Sequence, residues 1–277
     1  MPAVYRDTVS GYNRAALRYR DCWAPIIAQA AVQLLDRVDE GFDGRDAFRL
    51  VDIGTGSGTL ALAALERWQG ASVIAVDPAI RLIEITAAAA QGRGGDADRR
   101  LTLREGAAAT LPLPNSSADV AVSSFVIQLV PSRAAALREA FRILRPGGLF
   151  ACLTWQDRDD VFRPMQAFED AVDDLGLDWP DPGPDPRSYA SPREAAAEFR
   201  RAGFRRVDAR REWLEHRYTA DSYLATLEGW LADDLFEPLS ESNRERLRRA
   251  ALGRLSRLPA DALLWRAPLV SVVGVKP

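Results

Sequence analysis

The run Val51-Asp52-Ile53-Gly54-Thr55-Gly56-Ser57-Gly58 constrains this chain more than any other segment. A short apolar stretch, Leu50 to Ile53, ends in three glycines spaced two apart. An alanine- and leucine-rich segment with helical spacing, TLALAALERW (59–68), follows at once. A strand, a glycine turn and a helix in that order form the setting in which such a motif carries chemistry. Glycine lets the backbone turn tightly and lets a ligand come close. The free amides at the helix start favour a carboxylate or a phosphate.

The same alternation continues downstream. SVIAVD (72–77) predicts a second strand and 79–90 a helix, with a loop at 92–98. A weaker third strand pattern follows at 101–105 and a fourth at 118–126, the latter introduced by a Pro/Asn/Ser turn at 112–117. Leu137, Ala140, Phe141 and Leu144 form one apolar helical face, and Arg145-Pro146-Gly147-Gly148 is expected to stop that helix before a strand at 149–155. Nearly continuous apolar strands alternating with helices predict a parallel sheet covered on both faces.

The flanks read differently. Residues 1–45 are expected to be helical, with Trp23, Ile26, Ile27, Ala30, Leu34, Leu35 and Val38 at helical spacing. The segment 157–190 is rich in Asp and Pro and reads as an irregular insertion. Ser191-Pro192-Arg193-Glu194 predicts a capping box opening a helix that ends at Gly203. A sixth strand is expected at 207–217, helices over 220–258, and a last strand, LVSVVGV (269–275), that closes the sheet.

Scarce residues exclude whole classes of chemistry. The chain has 277 residues but one His, His216, and two Cys, Cys22 and Cys152. No His/Cys set can build a zinc or iron–sulfur site, so no metal is expected. Cysteines 130 positions apart imply no disulfide framework, which predicts a cytoplasmic protein. The first residues hold no apolar signal core and no run of 18 apolar residues exists, so no membrane partner is expected. Of 36 basic residues only Lys276 is lysine, yet 39 acids balance them. The arginine-rich stretch from Arg244 to Arg257 is mixed with acids and predicts a solvated helix face rather than a nucleic-acid surface.

Two ligand classes compete for the glycine loop. Dinucleotide sites use G-x-G-x-x-G around a pyrophosphate. Here the spacing is G-x-G-x-G, and Asp52 stands two residues before the first glycine. That carboxylate would repel a pyrophosphate and suit an ammonium group, as in the amino-acid head of S-adenosylmethionine (SAM). Asp77, at the end of the second strand, can accept both ribose hydroxyls in either class.

With these pieces in view, the chain resembles the class I SAM-dependent methyltransferases, in particular the small-molecule branch similar to the ubiquinone/menaquinone C-methyltransferases. The resemblance rests on VDIGTGSGTLAL (51–62), VIAVDPAIRLIEIT (73–86), GAAATLPLPNSSADVAVSSFVIQLV (106–130) and LREAFRILRPGGLF (137–150). It implies a Rossmann-like α/β fold with a seven-stranded sheet of order 3-2-1-4-5-7-6 and helical cap insertions. The closing strand, PLVSVVGVKP (268–277), would be antiparallel. The implied organisation is one domain over 1–277. It comprises an N-terminal helical cap (1–48), a SAM-binding core (49–155), an insertion (156–190), a core helix and strand (191–217), a second helical cap (218–267) and the closing strand.

Carried over by position, the resemblance implies that Gly54, Thr55 and Gly56 line the methionine part of SAM and that Asp77 holds the ribose. Pro78 would pack near the adenine, with Ala107 and Ala108 at its edge. Ser124 and Phe125 would lie beneath the methionine arm, and Tyr19, or else Tyr12, would cover the SAM carboxylate. Two positions depart from the family pattern. Ala107 stands where an acid is usual, and Gln128 stands where histidine is frequent. Glutamine is no general base near neutral pH.

Methyl transfer from a sulfonium is an in-line displacement that needs alignment and exclusion of water more than a base. His216, near the end of the sixth strand, is the one histidine that could take an acceptor proton. The acceptor pocket is expected from the non-core aromatics Trp23, Phe162, Phe168, Trp179, Tyr189, Tyr223, Trp230, Phe236 and Trp265. These suit an apolar or aromatic small molecule. The leading expectation is O-methylation of a small organic molecule in specialised metabolism. The alternatives are a non-methylating cyclisation or elimination on bound SAM, or a non-catalytic binding protein; oligomerisation is left open.

Overall fold

The strand patterns pair into one seven-stranded sheet of order β3-β2-β1-β4-β5-β7-β6. The computed structural model describes residues 3–42, 47–93, 96–158, 160–178 and 188–277. The strands are β1 (Phe48–Ile53), β2 (Ala71–Asp77), β3 (Leu101–Glu105), β4 (Ala118–Ser124), β5 (Leu144–Trp155), β6 (Arg205–Arg217) and β7 (Leu264–Val275). β1 pairs in parallel with β2, Val51 opposite Ile74, and with β4, Val51 opposite Ala121. β7 runs antiparallel to both β5 and β6.

Alternation along β1 assigns the two faces. Leu50 packs with Val73, Ala75, Val120 and Val122 beneath helices α2 (Ala24–Gly41) and α3 (Thr59–Arg67). Val51 and Ile53 face the other way, toward α5 (Arg133–Ile143), with Ala121, Phe150 and Cys152. The helices α1 (Ala3–Arg14) and α4 (Ile80–Arg93) pack against each other beside the glycine loop. Ser132 caps α5 by accepting from the Ala135 amide, as its position before the apolar stripe leads one to expect.

Three local expectations change. First, the segment 157–190 holds a helix, α6 (Arg163–Asp174). Met165, Phe168, Ala171, Val172 and Leu175 form a helical stripe that packs with Leu247, Ala251 and Leu255 of a long cap helix. The surrounding acids and prolines mask that stripe in sequence. Trp179 and the Asp/Pro run at 179–187 lie outside the described residues.

Second, Arg145-Pro146-Gly147-Gly148 belongs to β5 rather than to a break before it. Gly147 adopts φ +79, and a Cβ on Gly148 would stand 2.9 Å from the Arg145 carbonyl and 3.0 Å from that of Asp119. The register shift between Ala118 and Val120 absorbs the irregularity, and Gly148 accepts from the Lys276 amide at 2.9 Å. Third, the strand expected at 118–126 ends at Ser124, because Phe125 turns to φ +56.

The helix α7 (Pro192–Arg201) does open on Ser191, whose side chain accepts from the Glu194 amide. Glu194 reaches back one residue further than a standard box, to the Ala190 amide at 2.8 Å. The second helical region contains α8 (Ala220–Thr226) and α9 (Glu241–Leu255). Along α9 the arginines are drawn into ion pairs: Arg248 to Glu228 at 2.7 Å, and Arg254 to Asp174. Among the described residues no helix is long and apolar enough to cross a membrane.

Candidate active site

The glycine loop follows β1 and is held to β2. Gly54 and Thr55 donate their amides to the Val76 carbonyl at 2.7 and 3.0 Å. Gly54, Gly56 and Gly58 have φ of +75, +56 and +86, a region that disfavours side chains. A Cβ on Gly54 would stand 2.3 Å from Val126 Cγ2, and one on Gly58 2.7 Å from Thr86 Cγ2. The loop glycines therefore answer both backbone geometry and close packing.

Asp77 ends β2 beside this loop. Its Oδ2 accepts from the Gly56 amide at 2.9 Å and its Oδ1 from the Ala79 amide at 2.8 Å. Each carboxylate oxygen keeps a further lone pair for a ligand hydroxyl. Burial pushes the Asp77 carboxyl up to about 6, with the two amides pulling the other way.

A cavity opens over the loop at the carboxyl ends of β1, β2 and β4, the edge at which ligands bind in such sheets. It encloses about 610 Å³ counted to its open mouth. Of the residues singled out in sequence, Tyr19, Gly54, Gly56, Asp77, Pro78, Ala108, Ser124 and Phe125 line it. Tyr12 lines it as well, so both candidate tyrosines are present rather than one. Tyr12 and Tyr19 meet edge to face at 5.5 Å, and Trp230 stands 5.2 Å from Tyr19 and 5.5 Å from Tyr12. Burial, with Asp77 nearby, drives the Tyr12 phenol well above its ordinary range. Burial, then Tyr12, then the two aspartates do the same to Tyr19.

Four expected residues lie elsewhere. Asp52 does not reach the cavity: Leu50 and Asp52 share the strand face that points under α3. Its Oδ2 accepts from the Thr55 hydroxyl at 2.8 Å and the Ala61 amide at 3.1 Å. Burial pushes its carboxyl up to about 7; these two donors oppose the rise and the nearby Asp77 adds to it. Thr55 is turned to Asp52 and is likewise absent from the lining. Ala107 forms a bridge to Thr110 and leaves the wall to Ala108.

His216 is also outside. It sits on the edge strand β6 opposite Trp265, with its ring 4.4 Å from Tyr218. Three strand spacings, about 14 Å, separate β6 from β4. Burial lowers the His216 pKa, favouring neutral imidazole, and the residue does not line the cavity. Gln128 is buried and accepts from the Thr154 hydroxyl at 2.7 Å, which gives it a structural partner.

The structure adds Thr8, Val9, Ala79, Leu82, Val126, Leu129 and Val130 to the wall. Thr8 and Tyr12 stand four apart on α1, a signal of one helix face that the sequence carries but does not aim. Of the aromatics expected around an acceptor, Phe168 and Phe236 pack within the cap and Tyr189 within the core. Tyr189 donates to Glu198 at 3.0 Å under the Arg133 guanidinium.

Comparison with known proteins bears on residues 51–152 and on the fold. A methyltransferase-domain family model matches residues 51–152. A ubiquinone/menaquinone biosynthesis C-methyltransferase from Methylobacterium nodulans is 35% identical over 113 residues, 40% of this chain and 44% of that protein. A malonyl-[acyl-carrier protein] O-methyltransferase from Xylella fastidiosa is 32% identical over 169 residues, 58% of this chain and 52% of that protein. The chain thus spans about half the length of the curated relatives it matches. Among solved structures, the YcgJ protein of Bacillus subtilis superposes with a TM-score of 0.59 at 20% identity, covering 88% of this chain and 97% of that one. Residues 51–152 thus match a methyltransferase-domain model, and they lie within a seven-stranded sheet of order β3-β2-β1-β4-β5-β7-β6.

Proposed function

We propose that this chain is a SAM-dependent methyltransferase that methylates an oxygen of a small organic molecule. The observation that carries the reading is Asp77, buried at the end of β2 and braced by the Gly56 and Ala79 amides, facing a cavity over the glycine loop. A diol such as the SAM ribose matches the two free lone-pair positions. The apolar wall of Pro78, Ala79, Leu82 and Ala108 suits an adenine face. Loss of an acid at Ala107 leaves adenine recognition to backbone groups and apolar contact.

When bound, SAM supplies a methyl group already activated on a sulfonium. An acceptor oxygen would bond to that carbon as the carbon–sulfur bond broke, which would release S-adenosylhomocysteine and one proton. The residues of this chain align and dry the reaction. Tyr12, Tyr19 and Trp230 form an aromatic wall that keeps water from the loop, and aromatic faces also favour a cation. No imidazole borders the cavity among the described residues. We therefore assign acceptors whose hydroxyl is acidic, such as phenols or carboxylic acids, which give up their proton to solvent before they reach the dried site. A cytoplasmic role in specialised metabolism is part of the same reading, supported by two cysteines that stay as free thiols.

Calorimetry with S-adenosylhomocysteine tests the cofactor assignment, and methyl-labelled SAM with phenolic and carboxylic acceptors tests the reaction. Labelled product is expected. Turnover giving unlabelled product would replace transfer with a cyclisation or elimination. Absence of binding at millimolar ligand would leave a non-catalytic protein.

A further inference from the structure

A second cavity, about 800 Å³ counted to its open mouth, lies beside the first. Trp23, Trp265, Tyr218, Tyr223 and Phe162 form its walls. The rings are set at steep angles rather than stacked: Phe162 and Tyr223 at 85°, Tyr218 and Tyr223 at 69°. A flat molecule entering between them meets ring faces and edges on several sides.

One aromatic layer separates the two cavities. Phe125 lines the first, while Trp23 and Trp265 line the second. Trp155 stands between them, 4.5 Å from Phe125, 5.8 Å from Trp265 and 6.3 Å from Trp23. Two π-helical turns join the cavities on the cap side, a geometry that gathers at functional sites. The first, Tyr19–Trp23, places its first residue in the cofactor cavity and its last in the second cavity. The other, Leu227–Leu231, brings Trp230 to Tyr12 and Tyr19 and Leu231 to the second cavity.

Tyr223 supplies the polar feature. It is 1% exposed, yet its hydroxyl has no hydrogen-bond partner among the described residues. A buried hydroxyl without a partner is unfavourable in the ligand-free fold. Burial also keeps this phenol protonated, so it stands as a donor. Among the described residues the cation at the rim is Arg158, engaged by Asp160 through both carboxylate oxygens at 2.7 and 2.5 Å. The cavity therefore offers an anion little, whereas the Tyr223 hydroxyl stands as a buried, unengaged donor for a neutral oxygen, with Gln166 and Tyr218 also in the lining.

We propose that the second cavity holds the body of the methyl acceptor, a flat, largely apolar molecule carrying an oxygen that accepts a hydrogen bond from Tyr223. This rests on the methyl-transfer reading above and narrows it. The reacting oxygen must come within about 3–3.5 Å of the methyl carbon. The acceptor is therefore elongated, with one end past Trp155 and the other at Tyr223.

Equilibrium dialysis of 2-naphthol, naphthalene and benzyltrimethylammonium against the wild-type chain and Tyr223→Phe tests this, with S-adenosylhomocysteine calorimetry and a thermal melt on both. The variant is expected to bind 2-naphthol about five- to tenfold more weakly, the loss of one hydrogen bond. Its affinities for naphthalene and S-adenosylhomocysteine should be unchanged, and its melting temperature equal or higher. An unchanged 2-naphthol affinity, a lowered melting temperature, or tighter binding of the cation than of 2-naphthol would overturn the proposal. If neither aromatic binds while S-adenosylhomocysteine does, the second cavity is no acceptor site and the cofactor reading stands. If S-adenosylhomocysteine itself fails to bind, the underlying methyl-transfer reading fails.

Discussion

Gly56 donates its amide to Asp77 Oδ2 at 2.9 Å, across the carboxyl ends of the neighbouring strands β1 and β2. One contact thus ties the loop that would hold the methionine arm to the carboxylate that would hold the ribose. The opposite oxygen is tied to the Ala79 amide at the start of α4. Both oxygens of Asp77 are acceptors, so neither position tolerates a donor.

Asp77→Asn tests that requirement. An amide must point its NH₂ at one of two backbone N–H groups, and it loses the charge that strengthens ribose hydrogen bonds. The expected result is a roughly 10- to 100-fold loss of S-adenosylhomocysteine affinity, from about 1.5–3 kcal/mol per charge-assisted bond. Calorimetry reads it directly, and affinity equal to wild type would reassign the ribose site.

The raised pKa values set a pH dependence. Asp77 is pushed up to about 6 and Asp52 up to about 7 in the ligand-free fold, against an unfolded value near 4. The folded state therefore binds more protons between these limits. The stability these groups contribute is fully present below about pH 4 and is lost as pH rises through 6 to 7. Ribose hydroxyls favour the ionised Asp77. Cofactor affinity should therefore be level above about pH 7 and fall by roughly tenfold per unit well below pH 6. Melting curves at pH 5, 6 and 7, with and without S-adenosylhomocysteine, should show the ligand-induced gain growing with pH. A gain that shrinks with pH would contradict this.

Gly54→Ala should be strongly destabilising. The new Cβ falls 2.3 and 2.8 Å from the two Val126 methyl carbons, and φ +75 adds backbone strain. Together these cost about 2–4 kcal/mol. Adding Val126→Ala relieves the clash but not the strain, so the double variant should regain only part of the loss. Urea denaturation of the full mutant cycle measures the split; full additivity of the two single changes would place Val126 out of contact.

Arg37 fastens α2 to the antiparallel edge. Its guanidinium donates to Ser271 Oγ at 2.6 Å and to Asp208 Oδ2 at 2.7 Å, while Ser271 donates to Glu212 at 3.0 Å. The arginine is buried, whereas Asp208 is 51% exposed and can return to water. Arg37→Met should therefore cost only about 1–2 kcal/mol by denaturation, less at high salt, with cofactor affinity unchanged.

Much of the fold is legible in the sequence because its signals are local. The glycine spacing after Leu50–Ile53, the strand ending at Asp77 and the stripe at Leu137, Ala140 and Phe141 each lie within one or two turns of chain. The strand order β3-β2-β1-β4-β5-β7-β6 follows once those motifs are matched to a family. The α6 stripe was equally local, but its acids and flanking prolines concealed the period.

The sequence by itself determined the glycine loop, the acid at the end of β2 and the absence of an abundant base, since each depends on residue type and short spacing. The tertiary structure alone decided where side chains converge. It turned Asp52 beneath α3 although that residue adjoins the loop, and it left His216 on the far edge strand. It also gathered Tyr12 and Tyr19 with Trp230, which lies more than 200 positions further along the chain, into one wall, and it stranded the Tyr223 hydroxyl in a second cavity. Such convergence depends on how helices and strands pack, a long-range outcome that residue spacing along the chain does not encode.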